Sequence, residues 1–296
     1  MRGQVPSCTV HTPTSLVGAL EILLAEKGAW RPIAGGTDLM VPFAAGTLPY
    51  TQFLNLWGLE ELRGIEITQD SITLGALTTY TEIRNHPLIG AEFPNLVQSA
   101  WATGALAIQN RGTIAGNIAN ASPAADTPPS LLAYGTEVQL QSLAGSRWVP
   151  YERFHTGYKQ TVMLPEELIS RIRIRRPTGD SFHFFRKVGT RKAQAISKVC
   201  VAAYARAEAG RVVEFRLGMG SVAPVPLRAL TTEMLIQGQR IETLDERFIA
   251  GAKQALMEDI RPIDDIRSTA HYRRKVSANV LGQLLEEMIE RFKRLV

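Results

Sequence analysis

The chain has 296 residues, of which 45% are apolar and 21% are charged, and its 33 Lys and Arg against 28 Asp and Glu give a formal charge of +5. This composition excludes intrinsic disorder, and the length suggests two domains. The only two cysteines, Cys8 and Cys200, are too few for a disulfide scaffold, a structural zinc site or an iron–sulfur cluster held by this chain alone.

The N-terminal region has no basic segment followed by an apolar run, so a signal peptide is not expected. Apolar stretches along the chain are interrupted by charges well short of the length of a membrane span. We therefore expect a cytoplasmic protein. The five histidines are scattered without an i, i+4 pair, so a metal centre is not expected.

The first predicted element is an amphipathic helix, in which Leu16, Leu20 and Leu23 recur at the helical period behind Ser15 and before Gly28. A short strand over 31–34 follows and ends in Gly35-Gly36. Alternation over 65–67 and 72–76 around a polar turn predicts a hairpin.

Thr79 and Glu82 form a capping-box pattern that opens a short helix. A second helix is predicted over 95–107. The stretch from Gln109 to Asp126 reads as a long polar loop, and loops of that length in compact domains are usually functional.

Two further strands are predicted over 138–143 and 169–175, and in the second the arginines alternate with buried isoleucines. The segment Pro177–Asp180 breaks the chain and marks the predicted boundary between a domain over 1–177 and a domain over 181–296. Beyond it we predict strands over 182–188, 199–206 and 212–217, with a turn at Ala209-Gly210. A helix capped by Thr243 and a last helix from about Tyr272 complete an α+β architecture.

Two glycine-bearing segments carry the functional signal. Gly35 and Gly36 directly follow a strand, where backbone N–H groups can turn inward and form an anion nest for a diphosphate. The segment matches neither the Rossmann nor the P-loop pattern, so by itself it favours a tight turn over a binding site. The second segment, Arg111 to Asp126, combines glycine, hydroxyl, carboxamide and carboxylate groups that suit a diphosphate with several hydroxyls, or that satisfy the segment's own backbone.

Taken together, Ala34–Leu39 and the pattern R-G-T-I-x-G-N-x-x-x-x-x-P-x-x-D over 111–126 resemble the FAD-binding subunits of molybdenum hydroxylases, the medium subunits of the xanthine dehydrogenase and carbon monoxide dehydrogenase type. The resemblance extends over nearly the whole chain. It includes the P-T-S-L opening at residues 13–16, the L-P-E-E-L-I stretch Leu164–Ile169, and the three later segments Phe185–Lys187, Ala195–Ser197 and Tyr272–Arg274.

The resemblance implies a vanillyl-alcohol-oxidase-type (PCMH-type) FAD-binding domain in two subdomains, followed by a smaller C-terminal domain of sheet and helices. It implies non-covalent FAD, with the diphosphate lined by the first segment. The diphosphate and ribityl regions would be held by the second segment, Ile169 would pack on the adenine side, and Lys187 and Ile196 would lie near the flavin ring. The implied cofactor-binding residues are Ile33, Ala34, Gly35, Gly36, Thr37, Asp38, Leu39, Thr113, Gly116, Asn117, Asp126, Ile169, Lys187 and Ile196.

There are two departures from the family pattern. Ala115 stands where the family commonly has a glycine; alanine is tolerated there if its φ is negative, and weakens FAD binding if the ligand lies against it. An aromatic residue that could stack on the flavin is not obvious. Trp101 is the nearest candidate, and the predicted helix places it in the core instead.

The family chemistry needs molybdopterin and two [2Fe-2S] clusters, and this chain has too few cysteines to hold the clusters. The resemblance therefore implies a molybdopterin-binding large subunit and an iron–sulfur small subunit as partners, with no catalytic residue on this chain. NAD⁺, quinone, ferredoxin and O₂ all remain open as acceptors. His155 reads as structural.

Three other functions stay open from the sequence. They are a stand-alone flavoenzyme of the same fold, a module that has lost the cofactor, and nucleic-acid binding through the arginine face of Arg171, Arg173, Arg175 and Arg176. Aromatic residues do not interleave with that face, which disfavours base stacking.

Overall fold

The computed structural model describes residues 7–191 and 194–294. The predicted α+β architecture is confirmed. The strands are β1 (Thr9–His11), β2 (Arg31–Ile33), β3 (Gln52–Asn55), β4 (Ile65–Ile67), β5 (Ser71–Gly75), β6 (Glu137–Ser142), β7 (Gly145–Pro150), β8 (His155–Gly157), β9 (Gln160–Thr161), β10 (Leu168–Arg175), β11 (Ser181–Val188), β12 (Val199–Glu208), β13 (Arg211–Gly220) and β14 (Leu227–Arg228).

Helices separate the first three strands, a run of consecutive helices follows β5, and the last helices follow β14. The helices are α1 (Leu16–Ala25), α2 (Met40–Ala44), α3 (Tyr80–Asn85), α4 (Pro87–Glu92), α5 (Pro94–Ala102), α6 (Leu106–Gln109), α7 (Ile114–Asn120), α8 (Pro128–Ala133), α9 (Leu230–Ile236), α10 (Glu246–Asp259) and α11 (Ala270–Lys293). None of the helices in the described ranges is long and apolar enough to cross a membrane.

The first part of the chain contains a parallel sheet in the order β1-β3-β2 and an antiparallel sheet in the order β4-β5-β10-β6-β7. The predicted hairpin is β4–β5, with Ile67 opposite Ile72. In β10, Ile172 and Ile174 are buried whereas the intervening arginines face the other way, as the alternation predicted. Ala34, directly after β2, packs against the same hydrophobic core that contains Leu168 and Ile169 at the start of β10.

The second part contains an antiparallel sheet in the order β11-β12-β13-β14, packed against α9 and α11, and α10 packs on these two helices. The predicted turn is confirmed, because Ala209 and Gly210 both have positive φ, 48° and 73°. The two parts are joined by Pro177–Asp180. The division of the chain into domains over 1–177 and 181–296 stays a prediction.

Three element predictions need correction. The helix predicted over 95–107 ends at Ala102, since Gly104 turns the chain with a φ of 60° before α6 begins. The predicted loop over 109–126 contains α7. Helix α10 is capped by Asp245, whose carboxylate accepts from the N–H of Phe248 at 2.8 Å, and not by Thr243.

Candidate functional site

A cavity of about 540 Å³ opens between the two sheets of the first part of the chain. Its volume lies in the range typical of small-molecule and cofactor sites. Three segments contribute most of its wall: the turn after β2, the adjoining starts of α3 and α7, and the stretch that enters β10. Of the residues expected from the sequence to bind a cofactor, it is lined by Ala34, Gly35, Gly36, Thr37, Asp38, Leu39, Thr113, Gly116, Asn117 and Ile169.

The turn after β2 presents unused backbone donors to this cavity. Within the described residues, the backbone N–H groups of Gly35 to Leu39 donate to no other group of the chain. Gly36 has a φ of 74°, in the region that favours glycine. Successive free N–H groups ahead of a helix form a nest suited to an anion such as a diphosphate.

The first glycine segment lies against the second. A Cβ on Gly35 would lie 1.7 Å from the carbonyl oxygen of Arg111, so only glycine allows this approach. The two glycine-bearing segments, about 75 positions apart in sequence, therefore meet at one cavity, as the resemblance implied.

The second segment forms the start of α7 and satisfies its own backbone. The hydroxyl of Thr113 caps the helix by accepting from the N–H of Gly116 at 3.1 Å. The N–H of Ile114 donates to Thr78 O at 3.0 Å, and that of Tyr80 donates to Gly112 O at 3.2 Å. These bonds join the starts of α3 and α7. In the described residues, the N–H groups of Ile114, Ala115 and Gly116 are thus used within the chain, whereas those of Gly35 to Leu39 are not.

Asn117 supplies an unused acceptor on this wall. Its Oδ1 is buried and has no hydrogen-bond partner in the described parts of the chain, although the residue lines the cavity. A buried amide oxygen without a partner costs free energy, on the order of 1–3 kcal/mol. A ligand hydroxyl or amine placed in the cavity would satisfy it.

Ala115 lies within α7 and is absent from the described residues with positive φ. The condition under which alanine is tolerated at this position is therefore met. Its side chain is buried and lines the cavity, so it narrows this wall by one methyl group.

The third wall is the stretch that enters β10, and an ion pair fixes it. Glu167 is buried and accepts from Arg147 Nε at 2.7 Å, from Arg147 Nη2 at 2.9 Å and from the N–H of Leu164 at 2.8 Å. Burial alone would raise the pKa of Glu167, but the hydrogen bonds from Arg147 and Leu164 hold it below its ordinary value. A bulge between Ile169 and Arg171 follows, and Ile169 lines the cavity.

Four of the expected residues lie outside the lining of this cavity. Ile33 belongs to β2, and Ile196 is more than half exposed on the segment before β12. Asp126 and Lys187 form an ion pair of 2.6 Å. The assignment of these four residues to the cofactor stays a prediction, as does the role of each residue that does line the cavity.

The Asp126–Lys187 pair joins the two parts of the chain. Ser197 donates to Asp126 Oδ1 at 2.5 Å, and Lys187 also donates to Ala102 O at 2.9 Å. Burial raises the pKa of Asp126, and the charge and hydrogen bonds of Lys187, with that of Ser197, oppose the increase. Both carboxylate oxygens of Asp126 are therefore engaged within the chain.

Several lining residues were not predicted from the sequence to belong to the site. Tyr80 is fully buried beside the cavity, where burial raises its pKa, and its hydroxyl is 3.3 Å from that of Thr127. Lys159 also lines the cavity and donates to Asn120 O and Asn120 Oδ1 at 2.8 and 2.7 Å. Tyr80 follows the capping Thr79, so its position at the start of a helix could be predicted from the capping box. Lys159 reaches the cavity only because its segment folds back onto Asn120, which is 39 positions away in sequence.

The prediction that Trp101 lies in the helix core is wrong. Its side chain is 57% exposed, and the guanidinium of Arg84 lies 4.0 Å from its ring centroid. Helix α5 packs through its other face, on which Leu96 and Ala100 are buried.

Other candidate sites do not form in the described residues. They contain no group of three or more His, Cys, Asp or Glu side chains placed to hold a metal ion. Arg173 and Arg176 are paired with Glu137 and Glu92 at 2.9 and 2.5 Å. His155 Nε2 lies 3.0 Å from the hydroxyl of Tyr151, and burial lowers its pKa to about 4. Two of the four arginines of the arginine face are thus paired with carboxylates of the chain itself.

Two family models match the chain: "FAD binding domain in molybdopterin dehydrogenase" over residues 6–177 and "CO dehydrogenase flavoprotein C-terminal domain" over residues 184–288. The chain is 27% identical over 283 residues to the xanthine dehydrogenase FAD-binding subunit of Escherichia coli O157:H7, covering 94% of this chain and 95% of that one. It is 26% identical over 285 residues to the carbon monoxide dehydrogenase medium chain of Hydrogenophaga pseudoflava, covering 95% and 96%.

Solved structures have the same fold. A chain of the cyanide-inactivated form of Cu,Mo-CO dehydrogenase superposes with a TM-score of 0.91 at 25% identity, covering 97% of this chain and 99% of that one. A chain of quinoline 2-oxidoreductase from Pseudomonas putida 86 superposes with a TM-score of 0.88 at 24% identity, covering 97% and 98%. The fold therefore extends over nearly the whole length of both.

Proposed function

Since the chain belongs to the family of FAD-binding domains in molybdopterin dehydrogenases, we propose that it is the electron-transfer subunit of a molybdenum-containing hydroxylase or dehydrogenase complex. The family identified from the paired glycine segments is confirmed, together with the fold class, FAD as cofactor and the oxidoreductase class. In the proposal, an iron–sulfur subunit supplies electrons, a molybdopterin-binding subunit carries the substrate site, and a separate acceptor such as NAD⁺ removes the electrons.

The hydrogen-bond donors and acceptors that line the cavity match the groups that FAD presents. The free N–H groups of Gly35 to Leu39 would hold the diphosphate, and the unpaired Oδ1 of Asn117 would accept from a hydroxyl of the cofactor. Ile169 would pack on an apolar part of it. Bound FAD supplies the capacity to accept and release electrons, which the amino-acid side chains lack.

The protein's own part in this function is to bind and orient. The wall formed by the stretch before β10 is held by Arg147 and Glu167, and the wall formed by α7 is held by its cap at Thr113. The described residues that line the cavity include no histidine and no cysteine, and their one glutamate, Glu167, is occupied by Arg147. The other carboxylate of the lining, Asp38, lies in the segment proposed to hold the diphosphate, which supports an electron-transfer subunit over a stand-alone flavoenzyme that abstracts a proton from its own substrate.

The observation that carries the proposal is the convergence of both glycine-bearing segments on one cavity with unused donors. The first experiment titrates FAD into the apoprotein and into Asn117→Ala. We expect the variant to bind FAD about 5- to 30-fold more weakly, because a buried hydrogen bond is lost, while thermal stability of the apoprotein is not reduced, since the variant also removes a buried oxygen without a partner. Equal affinity of the two proteins would remove Asn117 from the site.

The second experiment tests the route of electrons. The FAD-loaded chain is mixed without oxygen with its pre-reduced iron–sulfur subunit, and loss of the oxidised flavin's visible absorbance is followed. We expect rapid loss with that subunit and none with the substrate of the complex alone. Loss with the substrate alone would instead indicate a stand-alone flavoenzyme, and failure to bind FAD would indicate a module without cofactor.

A further inference from the structure

The stretch from the end of α5 through α6 carries exposed apolar side chains. Trp101 and Leu106 are each 57% exposed, and Ile108 is 36% exposed. The same segment contributes Thr103 and Ile108 to the lining of the cavity. We call the group Trp101, Leu106, Ile108 and Arg84 the Trp101 surface. It is therefore continuous with the wall of the cofactor site.

Hydrogen bonds hold the Trp101 surface in one arrangement. Gln109 Nε2 donates to Trp101 O at 3.2 Å and to Thr103 O at 3.1 Å. Arg84 Nη1 donates to Gln109 Oε1 at 2.6 Å while its guanidinium lies over the Trp101 ring. A surface that is already ordered loses little conformational entropy on binding a partner.

Uncompensated positive charge accompanies these apolar groups. In the parts of the chain that the structure describes, neither Arg84 nor Arg111 forms an ion pair with a carboxylate. The guanidinium of Arg111 lies instead 3.9 Å from the ring centroid of Trp57. Tryptophan and arginine are the residue types most enriched at the energetic centres of protein interfaces. The charge complement of this surface is a partner with an apolar centre and an acidic rim.

We infer that the Trp101 surface is the docking face for the electron-donating iron–sulfur subunit, which meets it with an apolar patch bordered by carboxylates. This inference rests on the proposed function. Electron tunnelling weakens steeply with distance, so a donor subunit must contact the chain beside the cofactor. The Trp101 surface meets that need because the stretch from Trp101 to Ile108 contributes Thr103 and Ile108 to the cavity lining, whereas its exposed Trp101 and Leu106 lie outside that lining.

The test uses Leu106→Glu, since Leu106 is outside the cavity lining. Val17→Glu is a matched control, because Val17 is also 57% exposed and also lies in the first turn of a helix. FAD affinity of each chain is measured first, and binding to the iron–sulfur subunit is then measured by calorimetry. We expect Leu106→Glu to keep wild-type FAD affinity and to bind the subunit at least about 10-fold more weakly, with Val17→Glu unchanged in both.

Charge is tested separately with Arg84→Glu, which is expected to weaken binding more at low than at high salt. Wild-type affinity for the iron–sulfur subunit in both Leu106→Glu and Arg84→Glu would overturn the docking face while leaving the proposed function intact. If the wild-type chain binds FAD but no iron–sulfur subunit, both the docking face and the proposed function are overturned. If sedimentation shows a wild-type dimer that Leu106→Glu dissociates, the surface belongs to a second copy and the inference is overturned.

Discussion

Gly36 is the residue at which backbone conformation and ligand access depend on each other most directly. Its φ is 74°, and a Cβ there would come no closer than 3.6 Å to another atom of the chain, the Cδ1 of Ile33. We predict that Gly36→Val lowers FAD affinity at least about 10-fold, since a branched side chain strains the turn and distorts its N–H groups. Fluorescence titration with FAD measures this effect.

A substitution at a second glycine, Gly46, serves as the control for the effect of backbone strain alone. Gly46 has a φ of 68°, has open space around its Cα and lies outside the cavity lining. Gly46→Val should therefore lose a similar amount of stability and keep its FAD affinity. Equal loss of affinity in both variants would mean that the turn after β2 acts only through folding.

The sequence pointed to Asp126 as a functional carboxylate, but it did not predict that Lys187 and Ser197 bind this side chain. Its side chain and that of Lys187 are 11% and 14% exposed, so the pair is largely removed from water. Removing one partner of such a pair typically costs about 3–5 kcal/mol, because the other charge is left buried. We predict that Asp126→Ala and Lys187→Met each lower the free energy of unfolding by that order, and that the double variant loses less than their sum.

Urea denaturation of the four proteins gives the coupling free energy of this pair. FAD affinity of Asp126→Ala is measured in parallel, since the sequence also assigns Asp126 to the cofactor. A loss of affinity in Asp126→Ala that Lys187→Met does not share would support direct contact. Additive losses of stability would contradict a coupled pair.

Among the helices, local signals predicted those that begin with a capping residue followed by an apolar stripe. Ser15 caps α1, and the Thr79–Glu82 capping box is complete in α3. The same signal was present at Thr113 but was overlooked, because glycine and asparagine within α7 are typical of loops. Pairing with the start of α3 stabilises α7, and such a contact cannot be seen in local sequence.

The stretch that enters β10 should depend on an ion pair contributed by another strand. Arg147 in β7 binds Glu167 through two nitrogens and donates to Val162 O at 3.0 Å. We predict that Arg147→Met weakens FAD binding about 3- to 10-fold, since Leu164 and Ile169 would no longer be held in the cavity wall. Because Arg147 is partly exposed, the loss of stability should stay near 1 kcal/mol.

Isothermal titration with FAD and thermal unfolding measure these two quantities. Arg173→Met is the matched control, because Arg173 also pairs with a glutamate of the same sheet, Glu137, but lies outside the cavity lining. An equal effect of both substitutions on FAD affinity would show that the loss reflects sheet stability rather than the position of the wall.

At the scale of the whole molecule, the two parts of the chain, each with its own sheets, are held together by polar contacts between residues far apart in sequence. Asn95 Nδ2 donates to Ala203 O at 2.8 Å, and the Tyr134 hydroxyl lies 3.0 Å from His183 Nδ1. The amphipathic pattern of α11 and the strands of the second sheet were predictable, because both depend on local periodicity. The docking of one part on the other was not, since it rests on isolated side chains such as Asn95 and His183.

His183 makes this junction dependent on pH. Burial lowers its pKa to about 4, against 6.5 for the free side chain. The folded state therefore disfavours the protonated ring, whereas the unfolded chain binds a proton once the pH falls below about 6.5. Stability should be complete above that pH and should decrease as the pH falls toward about 4. His155 has the same direction of shift and adds to the effect.

We predict that the free energy of unfolding falls by about 1–3 kcal/mol per buried histidine between pH 7 and pH 4.5. His183→Gln should remove part of this decrease, because the amide keeps hydrogen-bonding capacity without a charge that titrates. Urea denaturation across the pH range measures the slope, and His271→Gln, at an exposed position, is the control. An identical slope in wild type and His183→Gln would mean that protonation of His183 does not oppose the docking of the two parts of the chain.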